Sequence, residues 1–318
     1  MTQSPAFDLR LPVIAAPMFL CSGPELVIAC CKAGIIGSFP TTNCRNMDEL
    51  DAWMRDIVAG VGALPWAANL ITHSTNARLA DDLARVAAYE PPLVITALGS
   101  PKPAIETVHR YGGKVFGDVV NLNLARKAVE AGADGLVCIA AGAGGHTGTF
   151  SPFAFISALR EFFDGPIVIG GGISDGAGIA GAIAAGADYA YVGTRFVPTQ
   201  ESRAVDGYKQ MIVDCGPDDL IVSAAITGTP ASWLKPSLAA CGFKLEDLGG
   251  KPDRNYMAGD NAYKRWRDTW SAGQGLHASK AVEPVAQVVD DLERGYHDAI
   301  ARFAARTSPP AAAQRRKA

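Results

Sequence analysis

The most reactive-looking segment of the chain is a loop with almost no side chains. In Ala140-Ala141-Gly142-Ala143-Gly144-Gly145-His146-Thr147-Gly148-Thr149 a single imidazole stands among glycines and alanines. Imidazole changes charge near neutral pH, so it can remove a proton or, protonated, sit as a counter-charge to an anion. Glycines let backbone lie close against a flat ligand, so Gly144 and Gly145 read as ligand-facing and His146 as the reactive group. His73, His109, His277 and His297 lack such a setting and read as surface or core residues.

Two further loops suit a phosphate. Gly170-Gly171-Gly172-Ile173 runs through Ser174-Asp175-Gly176 into a helical pattern, and Val192-Gly193-Thr194-Arg195-Phe196 follows about twenty residues later. Bare backbone N–H groups and a hydroxyl can approach an anion there, which assigns Gly171, Gly172, Gly193 and Thr194 to one cradle. The pattern is neither a Walker loop, having no Gly-Lys-Ser/Thr, nor a Rossmann fingerprint. Nearer the start, Ala16-Pro17-Met18 offers a fixed turn and a soft thioether for an aromatic ring, or simply core filling. Asn69 can bond the polar edge of a heterocycle, or cap a turn. Cys21 follows the same early segment and is a candidate contact, with no neighbour that would make it a nucleophile.

These loops need a scaffold, and the sequence repeats one. Three copies of an Ala-rich stretch ending in Ala-Gly are each followed by a short apolar run: Lys32-Ala33-Gly34 into Ile35–Gly37, Glu130-Ala131-Gly132 into Leu136–Ile139, and Ala185-Gly186 into Ala190–Val192. Each reads as helix, stop, strand. Five more apolar runs, Val13–Ala16, Trp66–Ile71, Leu93–Ala97, Lys114–Phe116 and Pro166–Ile169, bring the strands to eight. Helical patterns at Met47–Val58, Ala77–Tyr89, Pro103–Tyr111, Leu122–Ala131, Pro152–Phe162 and Gly176–Ala185 fall between them. Eight strands alternating with helices predict an α/β fold, the closed (β/α)8 TIM barrel, whose chemistry lies at the strands' C-terminal ends. The reactive loop then follows strand six, and the phosphate loops follow strands seven and eight.

The expected organisation is a barrel over residues 1–218, a lid or cap over 219–280 where the period is lost, a closing helix over 281–306, and a disordered tail over 307–318. A chain of 318 residues, 48% hydrophobic and only 19% charged, can bury such a core. A net charge of -3 and a pI near 6.0 disfavour nucleic acid as a partner. No apolar run is long enough to span a bilayer, and Met1–Arg10 lacks a secretion signal, so a cytoplasmic location is expected. Seven cysteines without a CxxC pair make neither a disulfide framework nor a metal site.

Together, Ala16-Pro17-Met18, Gly144-Gly145-His146-Thr147-Gly148, Gly170–Gly176 and Val192–Phe196 resemble the nitronate monooxygenase family, formerly the 2-nitropropane dioxygenases. The resemblance runs from about Leu11 to Tyr208, with an echo in Trp270-Ser271-Ala272-Gly273-Gln274-Gly275, and is shared with flavin-dependent enoyl-acyl-carrier-protein reductases and certain NADH:quinone reductases. It implies a TIM barrel with non-covalent FMN: Ala16, Pro17, Met18 and Asn69 line the flavin, Gly144 and Gly145 pack by its ring, and the two glycine loops hold its phosphate. His146 matches the family's catalytic histidine. The implied reaction takes an alkyl nitronate or nitroalkane and molecular oxygen to a carbonyl compound and nitrite. The resemblance also admits a homodimer.

The chain departs from this pattern in two places. Where quinone-reductase relatives carry a lysine at the end of strand five, this chain has Asp118, a flavin-side carboxylate that opposes an anionic reduced ring unless it is protonated. In the cap, Tyr256, Tyr263, Trp266 and Trp270 form either an aromatic wall above the flavin or the cap's own core. The alternatives are an NAD(P)H-dependent reductase of enoyl thioesters or quinones, and a non-redox barrel binding a phosphorylated ligand. The second lacks an evident Schiff-base lysine or paired strand-end carboxylates.

Overall fold

The computed structural model describes residues 6–249 and 266–307. Its centre is an eight-stranded parallel sheet closed on itself. In chain order the strands are β1 (Val13–Ala15), β2 (Gly37–Pro40), β3 (Trp66–Ile71), β4 (Leu93–Ala97), β5 (Lys114–Val119) and β6 (Gly135–Ile139). A two-residue strand, β7 (Gly145–His146), lies outside the barrel, which is completed by β8 (Ile167–Gly170) and β9 (Tyr189–Val192). β1 pairs with β9, and the seam between β1 and β2 closes through the Ile14↔Ile36 bridge. This is the TIM barrel that the alternating pattern predicts.

The predicted second strand, Ile35–Gly37, is displaced toward Gly37–Pro40. The Ile35 N–H is drawn into the turn, donating to the Cys30 carbonyl, and Ile36 bonds to β1 across the seam. The repeat glycines behave as their positions require: Gly34, Gly132 and Gly186 have φ of +92°, +95° and +105°. In the second and third copies the aspartate after the glycine latches the preceding strand. Asp134 accepts from the Val115 N–H and Asp188 from the Ile167 N–H, each at a barrel strand's start. These repeats are therefore structural.

The barrel helices are α1 (Pro24–Lys32), α2 (Met47–Val61), α3 (Leu79–Tyr89), α4 (Lys102–Arg110), α5 (Leu122–Glu130), α6 (Pro152–Arg160) and α7 (Gly176–Ala184). Asn46, Asn121 and Asp175 cap α2, α5 and α7 through side-chain acceptors. The chain then leaves the barrel through α8 (Asp206–Asp214), which the sequence pattern did not announce. Next come β10 (Leu220–Ser223), β11 (Ala231–Leu234) and α9 (Lys235–Ala240). The segment expected to lack a period thus contains an antiparallel hairpin, and β11 also pairs with β7. The last helix, α10 (Val285–Thr307), includes Thr307, which was expected in the tail; residues 308–318 lie outside the described ones.

α10 occupies the eighth helical position. Its Val285, Val288, Val289 and Leu292 join Leu26 and Cys30 of α1 and Ile179 of α7 in one buried cluster. The contact with α7 is backbone-close: a Cβ at Gly176 would lie 2.1 Å from the Tyr296 nitrogen. Inside the barrel, Ile14, Ile36, Ala67, Leu93, Ile95, Phe116, Val137, Val168 and Tyr189 fill the core. With a side-chain period of two, the inward positions nearest the C-terminal ends of the strands are Ile71, Ala97, Asp118, Ile139, Gly170 and Tyr191.

Candidate active site

Those six residues form the floor of a cavity of about 1270 Å³ at the C-terminal mouth of the barrel. Its walls gather most of the residues that the sequence singled out: Ala16, Pro17, Met18, Asp118, Gly144, Gly145, His146, Gly171, Gly172, Gly193 and Thr194 all line it. Asn69 does not. Its side chain points inward one layer below the floor, buried, and its amide donates to the Ile95 carbonyl at 3.0 Å. Alternation along β3 gives the face of a residue but not its depth, and Asn69 lies two residues below Ile71. Met18 serves both readings at once, packing against two buried clusters while presenting surface to the cavity.

The phosphate-type loops differ in what they offer. The N–H groups of Gly171, Gly193 and Thr194 have no acceptor among the described residues, whereas the Gly172 N–H already donates to the Gly142 carbonyl at 3.0 Å. Gly172 is thus a brace between loops, not an open donor. Gly171 needs its glycine, since φ is +143° and a Cβ would lie 2.6 Å from the Ala141 carbonyl oxygen. Gly193 has ordinary backbone and room: a Cβ there would meet Ala16 and Met18 at 3.5 Å or more. The Thr194 hydroxyl accepts from the Gly273 N–H at 2.9 Å and keeps its own proton to donate.

The glycines beside the imidazole divide similarly. Gly144 is required by the returning chain, because a Cβ would lie 2.7 Å from the Gly273 nitrogen. Gly145, at φ +65°, faces Trp266 with a Cβ distance of 3.7 Å and leaves space over the cavity. His146 is held through its backbone by pairing with Ala231 of β11, which fixes the ring's exit direction. Its Nε2 is buried without a hydrogen-bond partner, and its ring meets that of Trp266 edge-on at 5.4 Å. Burial holds the imidazole pKa below its ordinary 6.5, so the ring is neutral at pH 7. His146 lines the cavity, and a neutral imidazole is chemically able to accept a proton.

Asp118 is the cavity's carboxyl. No hydrogen bond or ion pair reaches it among the described residues, and burial alone raises its pKa from 3.8 to about 7. Its remaining accessible surface faces the recess, where bulk water does not solvate it well. Cys21 also lines the cavity, but burial raises its thiol to about 12 despite the charge of Lys209, which is the wrong state for a nucleophile. The cation on the wall is Lys127, at the rim. Among the described residues, no group of His, Cys, Asp and Glu could hold a metal ion.

One wall comes from the cap, where the sequence leaves Trp266 and Trp270 open between an aromatic wall and the cap's own core. Trp266, Thr269, Trp270, Ser271 and Gly273 line the cavity from the far side of the cap. Trp266 stacks on the fully buried Trp233 at 4.4 Å, and Trp270 stacks on Tyr208, whose hydroxyl donates to the Ser271 carbonyl. These two tryptophans therefore serve as both cap core and cavity wall; Tyr256 and Tyr263 lie outside the described residues. The segment from Trp270 to Gly275 is the brace that returns to Gly142 and Thr194.

Comparison with known proteins agrees with this architecture. A family model described as nitronate monooxygenase matches residues 72–240. The nitronate monooxygenase of Paraburkholderia phytofirmans is 27% identical in an alignment covering 93% of this chain and 95% of that protein. A Mycobacterium tuberculosis protein named (3aS,4S,5R,7aS)-5-hydroxy-7a-methyl-1-oxo-octahydro-1H-indene-4-carboxyl-CoA dehydrogenase is 28% identical over 78% of this chain and 68% of its own length. A nitroalkane oxidase from Streptomyces ansochromogenes superimposes with a TM-score of 0.77 at 25% identity, covering 92% of this chain and 98% of that one. Among the described residues no helix is long and apolar enough to cross a membrane. With the barrel, the glycine loops and the match over more than half its length, the chain belongs to the nitronate monooxygenase family of flavin-dependent oxidoreductases.

Proposed function

We propose that the cavity binds FMN and that the enzyme converts alkyl nitronates or nitroalkanes, with molecular oxygen, to a carbonyl compound and nitrite. The cavity of about 1270 Å³ exceeds the roughly 300–1,000 Å³ of a single-ligand pocket, which suits a cofactor and a substrate together. The open N–H groups of Gly171, Gly193 and Thr194 fit a phosphate, and the space over Gly193 is what a phosphate approach needs. Ala16, Pro17, Met18, Gly144 and Gly145 supply a ring bed nearly free of charge. When bound, the flavin supplies the electron transfer that no side chain here can perform.

The observation that carries the reading is the neutral imidazole of His146 on the cavity wall, with no hydrogen-bond partner at Nε2 among the described residues. As a neutral base it removes the α-proton of a nitroalkane; the resulting imidazolium then faces the anionic nitronate and offsets its charge. Trp266 limits the ring's rotation and keeps water from that side. A purified protein with a flavin absorbance spectrum that consumes oxygen and releases nitrite with propyl-2-nitronate supports the proposal; a colourless protein that takes up no FMN sinks it.

A specific observation favours a second reading, an NAD(P)H-dependent reductase of enoyl thioesters. Phe19, Leu98 and Leu124 line the cavity and are 45%, 54% and 41% exposed, an apolar rim larger than a short nitroalkane uses. Anaerobic mixing with NADH or NADPH separates the two, since rapid flavin bleaching belongs to the reductase.

A further inference from the structure

The cavity floor contains one ionisable group among hydrocarbon and backbone. Asp118 sits at the inward, C-terminal end of β5, next to Ala97 of β4 and opposite Val137 of β6, with Ile139, Gly170 and Tyr191 completing the floor. The titratable or charged groups around it are Cys138 on β6, Tyr191 on β9, His146 on β7 and Lys127 on α5. Cys138 and Tyr191 are buried and held in their neutral forms. Neither Lys127 nor His146 bonds to the carboxyl, so no donor or cation among the described residues compensates a negative charge there. A carboxylate left without donor or cation in such a place is costly, and a flavin lying over it would remove its remaining water.

A flavin ring presents acceptor atoms along both its pyrimidine edge and its central ring, against a single N–H donor. A neutral acid can donate to any of those acceptors; an ionised one faces them lone pair to lone pair. We propose that Asp118 meets the bound flavin as a neutral carboxylic acid donating a hydrogen bond to a ring acceptor, and that its ionisation weakens flavin binding and lowers the flavin's reduction potential. This rests on the reading of the cavity as an FMN site. It removes the conflict between a carboxyl at this position and an anionic reduced ring, because the group carries no charge while it bonds. It also makes cofactor retention sensitive to alkaline pH, a property located in one side chain.

The test is FMN affinity by fluorescence quenching on the full chain from pH 6 to 9, wild type against Asp118→Asn. Asparagine keeps the shape and a permanent donor, and the titration of the FMN phosphate is common to both proteins. The expected result is a wild-type affinity that falls about tenfold or more toward pH 9 while Asp118→Asn stays nearly flat, with a higher FMN potential in the variant at pH 9. Identical profiles overturn the proposal but not the FMN site, and so does a wild-type affinity that rises with pH, the sign of an ionised carboxylate accepting from the flavin N–H. Absence of binding by either protein at every pH overturns both. Should the variant fail to fold, infrared difference spectra of wild type alone decide: a protonated-carboxyl band lost between pH 6 and 9 supports the proposal, and its absence overturns it.

Discussion

The cavity has two unlike walls. On the side of β8 and β9 it is made of backbone, where Gly171, Gly193 and Thr194 present N–H groups and side chains are kept away. On the side of β7 and the cap it is made of side chains, with His146 braced by Trp266 and Trp266 by Trp233. The first wall can hold a ligand but has no group to move a proton. The second holds the proposed base, His146, whose backbone is fixed by a hairpin outside the barrel. Binding and chemistry are thus separable here, and substitutions should divide cleanly between them.

The largest expected effect is on the backbone wall. Gly193→Val is compatible with its φ of -105° and with neighbours at 3.5 Å or more, so the barrel should fold while the branched side chain fills the approach to the open N–H groups. FMN affinity should fall by about a hundredfold or more, since several charge-assisted hydrogen bonds are lost together. Full FMN occupancy in the purified variant would break the division of labour between the walls.

Next in size, on the other wall, His146→Asn should keep FMN and lose turnover by roughly a hundredfold or more, the usual contribution of a general base. The same residue fixes a pH dependence. Because burial lowers its pKa, the folded protein binds fewer protons than the unfolded chain below pH 6.5. The neutral base therefore persists to somewhat below that value, and kcat/KM for a neutral nitroalkane should fall only at more acidic pH. The linked stability falls in the same direction, as pH drops from 6.5 toward the folded pKa. A rate limb above pH 6.5 that disappears in His146→Asn would contradict the neutral-imidazole assignment.

The smallest effect concerns the brace. Trp266 adopts φ +64°, unusual for a bulky residue, and is held there by stacking. Trp266→Gly relieves the backbone while removing the ring that limits His146, so kcat should drop by about three- to tenfold with FMN affinity unchanged. A matched loss of FMN would show that the two walls are not independent.

Most of the backbone wall was legible in the sequence because it is local: a strand, a glycine-rich turn and a helix start follow one another within ten residues. The eight barrel strands were legible for the same reason, as apolar runs separated by Ala-Gly stops. The side-chain wall was legible at His146 and, as one of two alternatives, at Trp266 and Trp270. Trp266, Ser271 and Gly273 reach the cavity by a long return through the cap, and β7 is two residues long, too short to carry a periodic signal. Asn69 was placed on the right face and in the wrong layer, and Gly172 in the right loop with its N–H already spoken for.

The position of α10 has a consequence for how the protein is made. On the ribosome all eight barrel strands emerge by Val192, yet the seat between α1 and α7 stays empty until the helix beginning at Val285 arrives. For that interval the nascent chain exposes the apolar faces of both helices, a surface suited to chaperones and prone to sticking to other copies. Shortening the chain from its C-terminal end past Leu292 would make that transient exposure permanent, so a tag at this end calls for a linker rather than a deletion.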